Sequence, residues 1–363
     1  MRAIEIQTLG EFDDRVAAGA HSMAGWQLQD LDLTGREDVL GRLDPKGALL
    51  LGCRLSDAAA DRLQAGGALL FPTVPDVPFD PWRARLYTAA ELYQGPDGSY
   101  EVTVDARIYA WVRARGHRPA LQDMLAQALH DNSVDDALDE YVDGRRIIGV
   151  MGGHELHRDD SLYLDTARLG QALARDGVTV ATGGGPGAME AANLGALMGH
   201  ETTGRLEAVV AAAARVPSYR PSVGAWAHAA FDAVEGIEPS GLSLGIPTWF
   251  YGHEPPNPFC ARIAKYFRNA IREDVLLHLC RGGVVFLPGM AGTAQEIFQA
   301  ACENYYADAD GVAPMVLVGR DYWSDRLPAW PMLRALGRSR PMGKRIAVVD
   351  RAEEVPDLLA GWR

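Results

Sequence analysis

Two short glycine-rich segments hold the residues best suited to chemistry. The first is Thr182-Gly-Gly-Gly-Pro-Gly-Ala-Met-Glu190, between a β-type apolar run and a helical one. The second is Phe286-Leu-Pro-Gly-Met-Ala-Gly-Thr-Ala-Gln-Glu296, in the same setting. Glycines let the backbone approach a ligand closely, and a helix start offers unpaired N–H groups and the positive end of a dipole. Each segment is therefore a candidate phosphate site, and Glu296 adds a carboxylate in the first turns of its helix. Other readings stand beside this one. Either segment serves equally as a tight turn without a ligand, and Thr293 with Glu296 has the T-x-x-E spacing of a capping box. Neither segment is a dinucleotide fingerprint or a Walker A loop, because the G-x-G-x-x-G spacing and the following lysine are missing.

The surrounding pattern says what positions these turns. Ile147–Met151, Val178–Thr182, Leu242–Ile246, Val284–Leu287, Met315–Val318 and Ile346–Val349 read as short buried strands, with helices over Ser161–Arg175 and Ala188–Met198. Pro186 suits the start of the second helix, and Ala188, Ala191, Ala192 and Gly195 allow it to pack closely. On the second segment's helix, Ile297, Ala300, Ala301 and Tyr305 have core spacing. Alternating strands and helices predict an α/β, Rossmann-like parallel sheet with helices on both faces, whose ligands bind beyond the strand carboxyl ends. Residues 1–143 read as an N-terminal α/β extension. It holds a strand at Ala48–Cys53, a Ser56-capped helix over Asp57–Ala65, a strand at Ala68–Phe71 and a proline-studded loop over Pro72–Pro81. Helices over Ile108–Arg115 and Leu121–Leu129 and an acidic junction over Asp131–Asp143 complete it. The larger domain is expected over 144–363.

TGGGPGAMEAAN (182–193) and PGMAGTAQE (288–296) resemble the paired GGGxxGxM and PGGxGTxxE motifs of the Lonely Guy (LOG) phosphoribohydrolases, long mislabelled lysine decarboxylases. Gly152-Gly153-His154, Ala196–His200 and Glu254-Pro-Pro-Asn-Pro258 resemble the longer bacterial branch, the pyrimidine/purine nucleotide 5′-monophosphate nucleosidases. The resemblance covers about residues 145–350. It implies a Rossmann-like fold, a homodimer or dimer-based assembly, and no metal or other cofactor. It also implies hydrolysis of a nucleoside 5′-monophosphate to free base and ribose 5-phosphate. Glu296 matches the family's catalytic glutamate, and Gly292 and Thr293 match its phosphate-binding pair, with Gly289 flanking. Gly184, Gly185 and Gly187 match the other side of the nucleotide cradle. A carboxylate suits this chemistry, because breaking an N-glycosidic bond develops positive charge on the ribose.

The chain departs from the pattern in three places. Met290 replaces the second glycine of PGG. An ungapped count to the family arginine lands on Glu273, so the adjacent Arg272 is the candidate catalytic arginine and Arg268 its substitute. About residues 201–241 form an insertion, readable as a lid, a dimer contact or a packing decoration, with an apolar stretch at Ala208–Ala214 and a helix over Val223–Val234. Candidates for base and ribose contact are Gly153, His154, Met189, Glu190, Glu254 and Asn257, the last through its amide. His154, His157 and His253 lack the spacing of a metal site. Tyr305-Tyr306 and Trp323/Trp330 read as core or interface aromatics, and no G-x-S-x-G elbow is present.

Composition bounds the partners. The 363 residues carry 48 acidic and 35 basic side chains, a formal charge of −13 that disfavours a nucleic-acid polymer or an anionic membrane surface as partner. The four scattered cysteines, the absence of a leader pattern and the lack of a long apolar run point to a reduced, cytoplasmic protein. Only Lys46, Lys265 and Lys344 are lysines, and none sits on a glycine turn, which disfavours a pyridoxal-dependent decarboxylase. The expected partner is a single nucleoside monophosphate. A non-catalytic nucleotide sensor, or a nucleosidase for a modified nucleotide, are the alternatives.

Overall fold

The computed structural model describes residues 4–96, 99–239, 242–250 and 254–362. It divides into two compact units. One runs to Arg85 and takes in Arg115–Leu138; the other comprises Leu86–Ala114 and the chain from Asp139 onward. Residues 86–114 thus join the larger unit instead of the N-terminal one.

The smaller unit alternates β1 (Ile4–Ile6), α1 (Leu9–Ala17), β2 (Trp26–Gln29), α2 (Glu37–Leu40), β3 (Leu49–Leu51), α3 (Asp57–Ala65) and β4 (Leu69–Phe71). Its four strands are parallel, in the order β1-β2-β3-β4. Thr8 and Glu11 form a capping box on α1, and Ser56 caps α3, its hydroxyl accepting from Ala59 N–H at 3.3 Å. Ile6, Phe12, Leu28, Leu50 and Leu63 build the core. This is the α/β extension the sequence predicts, with β1 and β2 added.

Three helices follow in the chain: α4 (Ala89–Leu92), α5 (Val104–Arg115) and α6 (Leu121–Val142). The acidic stretch 131–143 is not a junction but the second half of α6. Neither glycine nor proline occurs between Leu121 and Val142, and Ala126, His130, Val134 and Leu138 are buried at helical spacing while the acids lie between them.

The larger unit centres on a seven-stranded parallel sheet. Its elements are β5 (Ile147–Met151), α7 (Ser161–Arg175), β6 (Thr179–Thr182), α8 (Ala188–Leu197), α9 (Thr203–Ala213), α10 (Val223–Ala233), β7 (Ser243–Gly245) and β8 (Arg262–Ile263). Then come α11 (Asn269–Leu279), β9 (Val284–Phe286), α12 (Ala291–Tyr306), β10 (Met315–Val318), α13 (Ala329–Gly337), β11 (Ile346–Val349) and α14 (Val355–Ala360). The strand order is β11-β10-β9-β5-β6-β7-β8. The chain starts in the middle at β5, winds outward to β8, then returns to β9 on the other side of β5. That reversal is the switch point at which open α/β sheets bind ligands.

Helices cover both faces. α7, α8 and α14 bury Leu169, Leu173, Ala188, Ala192, Ala196, Val355 and Leu359 against Ile148, Val150, Val180, Val285 and Val316. On the opposite face α11 closes on Gly149, where a Cβ would lie 2.7 Å from Cys280 Sγ. The small residues of α8 serve two surfaces. Ala188, Ala192 and Ala196 face the sheet, whereas Gly195 faces α7, where an added Cβ would fall 1.8 Å from Ala167 O.

Residues 86–114 are tied to this unit by polar contacts. Tyr87 and Ile263 exchange backbone hydrogen bonds of 2.9 and 2.8 Å. Asp105 on α5 accepts from Lys265 Nζ at 2.6 Å, Trp249 Nε1 at 2.8 Å and Tyr100 OH at 2.6 Å, all buried. The insertion helices α9 and α10 pack Leu206, Val209, Val210, Ala213 and Ala230 against α7 and α8.

Candidate functional site

Three loops meet at the carboxyl ends of β5, β6 and β9. Gly153, just past β5, donates its N–H to Pro288 O at 3.0 Å and accepts from Ala188 N–H at 3.1 Å. One residue therefore joins the start of α8 to the turn before α12. The packing leaves no room for side chains. A Cβ on Gly187 (φ +74°) would lie 2.5 Å from Gly153 O, and one on Gly289 would lie 2.2 Å from Thr293 Oγ1.

Neither helix start is closed by a side chain of its cap residue. α8 begins after Gly187 and α12 after Met290, and neither receives a side-chain cap. The T-x-x-E pair is consequently not a capping box. Because α12 starts at Ala291, Thr293 already lies in its first turn and Glu296 in its second. At α8, burial raises the Glu190 carboxyl, with Arg158 and the Gly187 N–H pulling against that rise. Gly292 faces open space, since an added Cβ would meet nothing within 4 Å.

Met290 occupies the cap position of α12. Its φ of −102° is accessible to any L-residue, and its side chain stands exposed beside Tyr322, whose OH donates to Gly289 O at 2.6 Å. The departure from PGG places an exposed side chain on the surface of the turn.

Glu296 is buried and faces α11. Arg272 Nη1 donates to Glu296 Oε1 at 3.4 Å and Nη2 to Asn269 Oδ1 at 2.9 Å, while Nη2 also lies 3.6 Å from Glu273 Oε1. Glu273 is itself held by Asn269 Nδ2 at 2.7 Å and by the Gln295 amide. Burial pushes the Glu296 carboxyl up to about 7, with Arg272 pulling against it and Glu273 and Glu254 adding to the rise. Arg268 is exposed at the cap of α11, so Arg272 is the arginine at the site.

The first turn carries the other wall. Met189 lies across it: a Cβ on Gly183 would be 2.8 Å from Met189 Sδ and 3.4 Å from Arg272 Nη1. A Cβ on Gly185 would be 2.9 Å from Met189 Cε and 3.4 Å from Glu254 Oε2. Glu254 Oε1 pairs with His154 Nδ1 at 3.2 Å. Gly183–Gly187, Met189, His154, Glu254, Arg272 and Glu296 therefore form one contiguous set.

Two sequence candidates point elsewhere. Glu190 is fully buried against Arg158, which donates to it through Nε at 2.8 Å and through Nη2 at 2.5 Å. Arg158 Nη1 in turn donates to the carbonyls of Ala213, Val216 and Trp226. Glu190 thus anchors the insertion and offers nothing to a ligand. Asn257 is fully buried beneath the glycine turn, donating to Gly185 O and to Asn193 Oδ1, both at 3.1 Å. It shapes the turn instead of reading a base. Asn193 completes that support by accepting from Thr182 Oγ1 at 2.6 Å. It stands in the motif segment 182–193, but an asparagine inside a helix gave no signal of its role.

Lys265 is committed to Asp105 and lies 5.0 Å from the centre of the Trp249 ring. Among the described residues no three His, Cys, Asp or Glu side chains gather as metal donors. His253 lies outside the described residues. No described helix is long and apolar enough to cross a membrane.

Comparison with known proteins agrees with the motifs. Residues 145–205 match the SLOG cluster4 family. The pyrimidine/purine nucleotide 5′-monophosphate nucleosidase of Escherichia coli strain K12 is 27% identical over 210 residues, covering 57% of this chain and 38% of that protein. The same values hold for the nucleosidase of Escherichia coli O157:H7. The chain matches well under half the length of these curated relatives. Among solved structures, the molybdenum cofactor binding protein of Rippkaea orientalis is 18% identical, covering 60% of this chain and 97% of that one at a TM-score of 0.37. The Moco carrier protein of Chlamydomonas reinhardtii, also 18% identical, covers 60% and 99% at 0.34. These two likenesses are loose. The paired glycine turns, the match over 145–205 and the nucleosidase relatives together make the chain similar to LOG-like proteins.

Proposed function

We propose that the chain hydrolyses the N-glycosidic bond of a nucleoside 5′-monophosphate, releasing the free base and ribose 5-phosphate. The observation that carries this reading is the buried Arg272–Glu296 pair beside an uncapped helix start. The start of α12, with Gly289, Gly292 and Thr293, receives the phosphate through backbone N–H groups and a hydroxyl. Binding energy from this non-reacting group orients the ribose. Glu296, ionised above about pH 7, takes a proton from the attacking water and faces the positive charge that builds on the sugar. Arg272 holds that carboxylate and meets the ribose or phosphate. The base lies over Gly183–Gly187 and Met189, toward His154 and Glu254. Side chains and water suffice for this chemistry. The same reading makes the partner a single nucleotide and the protein a cytoplasmic homodimer or dimer-based assembly.

The test is release of sugar phosphate from AMP, GMP, CMP, UMP, IMP and dTMP by folded protein. Turnover of at least one is expected. Calorimetric binding of a nucleotide with no product from any would replace this reading with a sensor.

A further inference from the structure

We propose that His154, held by Glu254, is the acid that protonates the departing base. This rests on the hydrolase reading above and adds to it the second half of the reaction. A base leaving as an anion is a poor leaving group, so a positioned proton donor lowers the barrier. Arg272, an arginine, stays charged and gives up no proton, and Glu296 is occupied with the attacking water.

The geometry supplies the donor on the other wall. The His154 backbone packs on the first glycine turn, where a Cβ on Gly187 would lie 2.9 Å from His154 C. Its ring lies with Nδ1 3.2 Å from Glu254 Oε1, while a Cβ on Gly185 would lie 3.4 Å from Glu254 Oε2. Among the described residues Nε2 has no partner, and the side chains of His154 and Glu254 are 40% and 41% exposed, within reach of a ligand. A carboxylate beside one imidazole nitrogen, with the other nitrogen open, is the arrangement of an oriented acid or base. As a stability device the pair is weak, because both side chains are exposed and solvent screens their attraction. Other charges around the pair are Glu155, next in the chain; Glu296 and Lys265, both within the field of Glu254; and Arg220, which lies 5.3 Å from the ring centre of Tyr219, itself within the fields of Glu254 and Glu155.

The step balances as follows. The C1′–N bond breaks with both electrons going to the base nitrogen. His154 Nε2–H gives its proton to the base. The water oxygen bonds to C1′, and Glu296 takes the water proton. Nucleotide and water become free base and ribose 5-phosphate, and the two side chains restore their protons through solvent.

The experiment compares two leaving groups on wild-type and His154→Ala protein. One is a natural nucleoside monophosphate; the other is 4-nitrophenyl ribofuranoside 5-phosphate, whose nitrophenolate departs without protonation. The substitution is expected to lower kcat/KM about 100- to 1,000-fold for the nucleotide and less than about threefold for the nitrophenyl compound. Glu254→Gln, which keeps the shape of the partner, loses about tenfold on the nucleotide alone. Equal losses on both substrates, or no loss on the nucleotide, would overturn the role of His154 and leave the hydrolase reading standing. Failure of the wild type on both substrates would remove the hydrolase reading and this role with it.

Discussion

Arg272 reaches from α11 to Glu296 on α12 with 3.4 Å between Nη1 and Oε1, and its own Nε is buried without a hydrogen-bond partner among the described residues. Buried donors are almost always satisfied, so an orphan at a candidate site marks a place for a ligand acceptor. Asn269 and Glu273 fix the fork of the guanidinium on its far side. Lysine keeps the charge but cannot reproduce a planar fork. Arg272→Lys is therefore expected to lower kcat/KM about 100-fold while thermal unfolding shifts little. A variant with wild-type kinetics would remove Arg272 from the site.

The raised pKa of Glu296 has a kinetic and a thermodynamic consequence. As a base Glu296 must be ionised, so kcat/KM should rise with pH and level off above about 7. In the folded protein its carboxyl holds a proton more tightly than in the unfolded chain. The stability this gives is present at pH 4 and is lost as pH rises through about 7. Glu296→Gln should thus gain up to about 3 kcal/mol relative to wild type between pH 5 and pH 8. Denaturant titrations of both proteins at the two pH values measure it, and an equal difference at both would contradict the shift.

The glycines of the second turn separate fold from function. Gly289→Ala meets Thr293 at 2.2 Å and should lower the melting temperature. Gly292→Ala meets nothing within 4 Å and gains helix propensity, so its melting temperature should hold or rise. Its methyl enters the space assigned to phosphate, and nucleotide KM should increase tenfold or more. Unchanged KM would move the phosphate elsewhere.

Glu190 and Arg158 are expected to matter for stability alone. Breaking a buried ion pair costs about 3–5 kcal/mol, so Arg158→Met should lower the melting temperature of the larger unit by roughly 10 °C. The kcat and KM of the remaining folded protein should match wild type. A raised KM at unchanged melting temperature would return Glu190 to the nucleotide site.

The sheet of the larger unit was legible because its strands are short, apolar and bounded by glycine. β1, β2 and β8 were not, since three or four residues such as Trp26–Gln29 or two such as Arg262–Ile263 carry no period. The acid count of 131–143 masked a helix whose buried face is spaced at three and four residues. At the site, glycine spacing located both turns and Glu296. It could not tell Glu190, held by Arg158, from Glu296, held by Arg272, as the carboxylate of the site. That depended on where α12 begins, and on Arg158, which is distant in sequence from Glu190 and touches it only after folding. Asn257 was misread for the same reason. A loop amide facing a base and one facing the underside of a turn look alike until Asn193 and Gly185 are seen beside it.

The most direct test of the whole account is ribose 5-phosphate released from nucleoside monophosphates by wild type and Glu296→Gln side by side, with folding of both checked by thermal unfolding. Turnover of at least one nucleotide by the wild type and a loss of at least about 100-fold in the variant are expected. Full activity in the variant, or no sugar phosphate from any nucleotide with folded wild type, would contradict it.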